Sequence, residues 1–168
     1  AAAKELGYKH IQVATNGLKF TDLNFCMKAR EAGLQYLYLQ FDGLEEEVNL
    51  QLRGKPLLEK KFQVLENAVK SGLRIYLVPT IVRGLNEEQI GPLVRYAFQH
   101  MDVLSGISIQ PVAFTGRIEE EERLRKRFTL ADICLEIEKQ TGLASAYNDF
   151  YPVSAFQTFS NLAKALTG

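Results

Sequence analysis

Residues 36–43 read Y-L-Y-L-Q-F-D-G. Leu37, Leu39 and Phe41 alternate with Tyr36, Tyr38, Gln40 and Asp42, the period of a strand that shows different chemistry on its two faces. The run stops at Asp42-Gly43, a turn signal. A parallel strand covered by helices on both sides is apolar on both faces, so one face of this strand has another purpose.

Working outward, the same pattern recurs. Four times a helical segment closes near a glycine and a β-type run follows: A-K-E-L-G then H-I-Q-V-A-T-N-G, M-K-A-R-E-A-G then L-Q-Y-L-Y-L-Q-F-D-G, E-N-A-V-K-S-G then L-R-I-Y-L-V-P-T-I-V-R-G, and M-D-V-L-S-G then I-S-I-Q-P-V-A-F-T-G-R. Gly7, Gly33, Gly72 and Gly106 are expected in the left-handed conformation that ends a helix. Asn86 with Gln89, and Thr129 with Asp132, have capping-box spacing. Phe62, Leu65, Ala68 and Val69 are expected to form the inward stripe of one helix.

Strands alternating with helices of ten or more residues imply parallel strands joined by right-handed crossovers. By parity, Ile11, Val13, Leu37, Leu39, Phe41, Ile75, Leu77, Ile107 and Ile109 form one apolar set. The opposite set is Gln12, Ala14, Asn16, Tyr36, Tyr38, Gln40, Asp42, Tyr76, Val78, Thr80, Ser108, Gln110 and Val112. One face therefore packs on helices and the other lines a polar lumen, which predicts an α/β chain forming part of a (β/α) barrel. A complete barrel needs roughly 250 residues in eight units. Four units do not close that ring, and the opening A-A-A-K-E-L-G, a helix tail with neither methionine nor preceding strand, favours the later part of a longer domain.

Composition narrows the partners. The 168 residues carry 20 basic and 20 acidic side chains, a balance that gives no footing for nucleic acid or an anionic membrane. No apolar run approaches the ~20 residues of a membrane span, and no signal peptide opens the chain. The expectation is a soluble, cytoplasmic domain. Cys26 and Cys134 lack metal-ligand spacing, so no metal site is assigned; both read as small core residues.

Ligands in such folds sit at the carboxyl ends of strands. Those ends carry Thr15-Asn16-Gly17, Gln40-Phe41-Asp42-Gly43, Thr80 with Arg83-Gly84, and Gln110-Pro111 with Thr115-Gly116-Arg117. Amides, hydroxyls, one carboxylate and two arginines suit a polar ligand rich in oxygen. His10 and His100 fall on the opposite rim, so no nucleophile-and-base pair is assembled, and a cofactor with its own reactivity fits better. Simpler roles exist for each piece: T-N-G as a turn, Asp42-Gly43 as a helix cap, Arg83 as the partner of a helix acid. The run I-E-E-E-E-R-L-R-K-R at 118–127 reads as a solvated helix, acids first and bases last. No G-x-G-x-x-G or Walker loop is present.

These ordered strand ends resemble the second half of a radical S-adenosylmethionine (SAM) core. A-T-N-G resembles the end of that family's third strand, L-Q-F-D-G its fourth, V-P-T-I-V-R-G-L-N-E-E-Q-I-G its fifth with the following loop, and I-S-I-Q-P-V-A-F-T-G-R its sixth. Together with T-L-A-D-I-C-L-E-I-E-K-Q-T-G and D-F-Y-P-V-S, they are similar to a mainly archaeal branch that includes tetraether-lipid synthases and pterin methyltransferase-like proteins. The resemblance implies residues 1–117 as units three to six of the core, and 118–168 as a C-terminal helical extension. It implies SAM held by Asn16, Gln40 and Asp42 on its methionine and ribose side, and by Thr80, Val82, Gln110 and Val112 near the adenine. A small-molecule or lipid substrate and a transferase-type activity are implied with it.

In the family a [4Fe-4S] cluster on a C-x-x-x-C-x-x-C loop converts SAM to a 5′-deoxyadenosyl radical that abstracts hydrogen. Neither that loop nor the family's Gly-Gly-Glu strand end occurs in these residues. The cluster is therefore expected only in a full-length protein, and the isolated chain is expected to be an inactive piece of an enzyme. Two alternatives stand beside this reading. One is a different (β/α) enzyme for a polar, phosphorylated or pterin ligand; the other is a non-catalytic assembly module. The strand at Ile11–Ala14 would lack a neighbour and is expected to favour self-association.

Overall fold

The strand containing Tyr36 is central to a parallel sheet. The computed structural model describes residues 1–114, 117–155, 162, 165 and 166. Thr115 and Gly116, expected at a strand end, lie outside the described residues, as do 156–161, 163–164 and 167–168 of the expected extension.

After a short helix α1 (Ala2–Glu5), the chain forms β1 (Gln12–Thr15), a 3-10 turn over Leu18–Thr21, α2 (Leu23–Glu31) and β2 (Tyr36–Gln40). Next come α3 (Glu46–Arg53), α4 (Leu58–Ser71), β3 (Arg74–Val78) and β4 (Thr80–Ile81). The last part holds α5 (Ile90–Gln99), β5 (Leu104–Ile107), β6 (Gln110–Pro111), α6 (Glu120–Lys126) and α7 (Leu130–Thr141). The main sheet has the order β1-β2-β3-β5, and β4 pairs with β6. Every pairing is parallel, with Val13 opposite Leu37, Leu37 opposite Ile75 and Gln40 opposite Val78. The fold is α/β, a four-stranded parallel sheet of the partial-barrel kind.

The small sheet prolongs the large one. Pro79 has no N–H to give to the ladder, yet its carbonyl accepts from Gln110 N (2.9 Å), between Leu77 O accepting from Ser108 N (2.7 Å) and Ile81 O accepting from Val112 N (2.9 Å). The third and fourth units thus run to the rim with one bonded edge.

Alternation along the strands gives the sheet two unlike faces. Leu37, Leu39, Ile75 and Leu77 are completely buried with Val64, Leu65, Ala68 and Leu93 of the covering helices. Each such aliphatic side chain contributes about 1.5–3 kcal/mol. Tyr36, Tyr38, Gln40 and Tyr76, on the other face, are half-buried. A second cluster of Ile81, Ile90, Phe128 and Ile133 fastens α7 and the segment before it to the end of the third unit.

Local signals divided into two kinds. Gly7, Gly33 and Gly72 have φ of 81°, 104° and 70°, as expected. Gly106 instead lies inside β5, where a Cβ would stand 3.3 Å from the Tyr76 ring; it makes room for that ring beside a register shift at Ile75/Tyr76. Thr129 and Asp132 form the full capping box of α7. Asn86 and Gln89 form none, because both side chains are drawn into tertiary contacts. Of the stripe expected on α4, Phe62, Leu65 and Ala68 pack into the core. Lys61, Val64, Leu65 and Ala68 face inward, while Val69 is exposed. Helix α6 buries nothing, in keeping with a solvated helix.

Candidate functional site at the strand carboxyl ends

The carboxyl ends of the strands surround a depression of about 430 Å³. Asn16 comes from beyond β1, Tyr38 and Gln40 from β2, Thr80 from β4, Gln110 from β6, and Arg53 from the last residue of α3. Parity brings them together, since each polar residue occupies the lumen-facing position of its strand. Gln110 Nε2 donates to Tyr38 Oη (3.2 Å), and Tyr38 Oη is hydrogen-bonded to Ser108 Oγ. This chain crosses from the second strand to the fourth beneath the opening.

Asp42 lies under the depression and is 1% exposed. Its carboxylate accepts from Arg53 Nε (2.8 Å) and Nη2 (2.9 Å), and from Thr80 N (3.0 Å). A two-pronged guanidinium–carboxylate pair fixes geometry as well as charge. It also aims Arg53, whose side chain keeps 30% exposure, along the depression. The Gln40 side-chain amide lies against the same guanidinium, whose Nε–H and Nη2–H are given to Asp42. Asn86 completes the layer from the next loop. Its Nδ2 donates to Asp42 O (3.0 Å) and Thr80 O (2.8 Å), and its Oδ1 accepts from Val82 N (2.8 Å).

A second cation, this one fully buried, serves the first two strands. Lys61, 2% exposed on α4, sends Nζ to the carbonyls of Asn16 (2.6 Å) and Gln40 (2.7 Å). Burial pushes its pKa from 10.5 to about 8; the Asp42 carboxylate opposes the fall and Arg53 adds to it.

Of the residues singled out in the sequence, Asn16, Gln40, Thr80 and Gln110 line the depression, and Asp42 supports it. Val82 and Val112 adjoin each other past the last pairing of β4 and β6, outside the lining. The T-N-G stretch is also a turn: Gly17 N donates to Thr15 Oγ1 (3.0 Å) and Leu18 N to Asn16 Oδ1 (3.1 Å). Asp42 caps no helix. Arg83 takes its simpler role, pairing with Asp132 at 3.1 Å and covering the Phe128 ring. Cys26 is wholly buried, and Cys134 is half-buried on α7. Among the described residues, no group of three or more His, Cys, Asp and Glu is placed to hold a metal ion.

Three residues escaped sequence reading. Arg53 and Asn86 act across gaps that no local spacing marks. Lys61 left one trace, being a lysine in register with Val64, Leu65 and Ala68 on a helix's buried face.

Comparison with known proteins places this architecture. The family described as "Radical SAM superfamily" matches residues 1–97. A 7,8-dihydro-6-hydroxymethylpterin dimethyltransferase of Methanocaldococcus jannaschii is 45% identical over 166 residues, 98% of this chain and 33% of its own length. A GTP 3′,8-cyclase of Nautilia profundicola is 29% identical over 87 residues, covering 52% of this chain and 27% of that protein. A probable GTP 3′,8-cyclase of Methanothermobacter marburgensis is 30% identical over 105 residues, covering 62% and 34%. The chain spans about a third of the length of these curated relatives. With more than half of its residues inside the family match, and its strand ends gathered around one depression, the chain belongs to the radical SAM superfamily.

Proposed function

We propose that this chain forms the SAM-holding half of a radical SAM enzyme. Asn16, Gln40, Thr80 and Gln110 face the ligand, Asp42 supports them from below, and Val82 and Val112 stand beside its adenine. The observation that carries the reading is the convergence of four successive strand ends on one depression. Its volume of about 430 Å³ falls in the roughly 300–1,000 Å³ range of small-molecule sites. Its lining offers amides, hydroxyls and a guanidinium to a ligand bearing a carboxylate, an amine, ribose hydroxyls and a heterocycle.

When bound, SAM supplies one-electron chemistry in partnership with a [4Fe-4S] cluster. The described residues bring no ligand set for that cluster; its ligands belong, on this reading, to another part of the protein, and the chain alone is inactive. What this chain's own residues contribute is grip and orientation. Group transfer to a small heterocyclic substrate is the activity to test first, since the relative that matches nearly the whole chain is named a pterin dimethyltransferase. The described residues include no helix long and apolar enough to cross a membrane. A second reading, assembly through β1, is favoured by its position at the edge of the sheet, with β2 as its one partner among the described residues.

Anaerobic calorimetry on the full-length protein tests the main reading. SAM should bind, and Thr80→Val and Gln110→Leu should each weaken it about three- to tenfold, the worth of one neutral hydrogen bond. Absence of SAM binding, or variants that bind as well as the parent, overturns it.

A further inference from the structure

We infer that Lys61 is a positioning residue for the ligand site, holding the ends of β1 and β2 at the separation that lets Asn16 and Gln40 act on one ligand. The inference rests on the SAM-holding reading for the identity of that ligand. Lys61 itself does not line the depression.

The backbone shows why such a residue is needed. Pairing of β1 with β2 ends at Thr15 opposite Leu39. The next β1-side amide, Gly17 N, turns back onto Thr15 Oγ1 (3.0 Å) and leaves the ladder. Past that point no backbone bond holds Asn16 beside Gln40. The Lys61 ammonium takes over, with Nζ bonded to Asn16 O at 2.6 Å and Gln40 O at 2.7 Å. These are short, charge-assisted bonds, and one nitrogen sets both distances. Both clamped residues are among those that line the depression.

A lysine is a costly choice for a merely structural contact. Burying a cation is unfavourable unless it is paired and hydrogen-bonded, and burial lowers this one to about 8. The charged groups acting on it are Asp42 and Arg53, themselves the layer beneath the depression. Methionine would fill similar space without that cost. A further lysine, Lys60, is adjacent on the same helix and exposed, so the inward cation is not a consequence of local composition.

The test uses the full-length protein with Lys61→Met, which keeps an apolar stem of similar length. The thermal midpoint should stay within a few degrees of the parent while SAM affinity falls about tenfold. In a sample labelled with ¹⁵N at asparagine and glutamine side chains, the Asn16 and Gln40 amide signals should shift while the exposed Gln12 and Asn148 signals stay. Parent-like affinity with unmoved Asn16 and Gln40 signals overturns the inference. If the parent fails to bind SAM, the ligand reading falls, and the two amide signals still decide whether Lys61 positions these strand ends. Should Lys61→Met fail to fold, Lys61→Ala is assayed with propylamine: restored binding or restored Asn16 and Gln40 signals support the inference. No recovery, or equal recovery with trimethylamine, which has no comparable set of N–H donors, overturns it.

Discussion

Replacing Asp42 by asparagine keeps the shape of the layer beneath the depression and removes its one buried carboxylate. In the parent, that group accepts three hydrogen bonds, from Arg53 Nε (2.8 Å), Arg53 Nη2 (2.9 Å) and Thr80 N (3.0 Å). Hydrogen bonds to a charged partner contribute about 1.5–3 kcal/mol each. The asparagine amide retains one acceptor and turns two donors toward groups that are donors themselves. Arg53, 30% exposed at its side chain, recovers part of the loss by turning to water. We expect Asp42→Asn to cost about 3 kcal/mol, near the lower end for a broken buried pair. For a chain of this size that is about 6–12 °C in Tm. Arg53→Met should cost more, about 3–5 kcal/mol, because the Asp42 side chain has 0% exposure and no route to solvent. The double variant should then be less destabilised than the sum of the two by about 1–3 kcal/mol. Urea unfolding followed by circular dichroism measures all three. A cost below about 1 kcal/mol for Asp42→Asn, or simple additivity, would refute the view that this pair holds the second and third strand ends together.

Two further outcomes are expected. Lys61 is held near 8 in the folded chain against 10.5 unfolded; below about pH 8 both states carry the proton and the desolvation cost is fully present, and above 10.5 neither does. Stability therefore rises between those values through this residue, by up to roughly 3 kcal/mol, and guanidinium titrations of the parent against Lys61→Met at pH 7 and pH 10 should reveal it; a pH-independent difference counts against the assignment. At the sheet's edge, exposed Val13 and Ala14 of β1 should drive association of the chain expressed alone, which Val13→Lys should reduce; sedimentation showing a monodisperse monomer for the parent would end the edge reading.

The strands and their faces were legible because alternation is a property of consecutive residues, and Leu37, Leu39, Ile75 and Leu77 all obey it. The box at Thr129 and Asp132 was legible for the same reason, since both partners lie within one turn. Asn86 and Gln89 have the same local look and a different fate. Asn86 bridges Asp42 O and Thr80 O, and Gln89 accepts from Leu44 N (2.9 Å), because a buried strand end left those groups wanting partners and tertiary demand outweighed the cap. The same competition hid the layer below the site. Arg53 stands eleven positions from Asp42, at a spacing set by the whole β2–α3 turn. Lys61 sits in a K-K pair that reads as solvated, and a count of apolar positions along the helix passes over a buried lysine.

Buried Lys61 and half-buried Arg53 explain how a one-sided parallel sheet keeps its rim in order. Apolar packing fixes the strands along their length, where Leu37, Leu39, Ile75 and Leu77 meet the helices, but it lacks direction and does not specify where a strand end points. Past the last ladder bond each end is free to splay, and sheet twist increases the separation. At those points the chain substitutes directional, charged contacts: Lys61 between the first and second ends, Asp42 with Arg53 and Asn86 between the second and third. Apolar replacements could be as stable, but they would leave Asn16, Gln40 and Thr80 without a fixed mutual geometry. A ligand that must be gripped at several points loses affinity when its contacts are not preorganised. The cost of burying these charges is therefore best understood as serving the site, and Lys61→Met, which removes charge while conserving volume, is the substitution in which stability and ligand affinity should move apart.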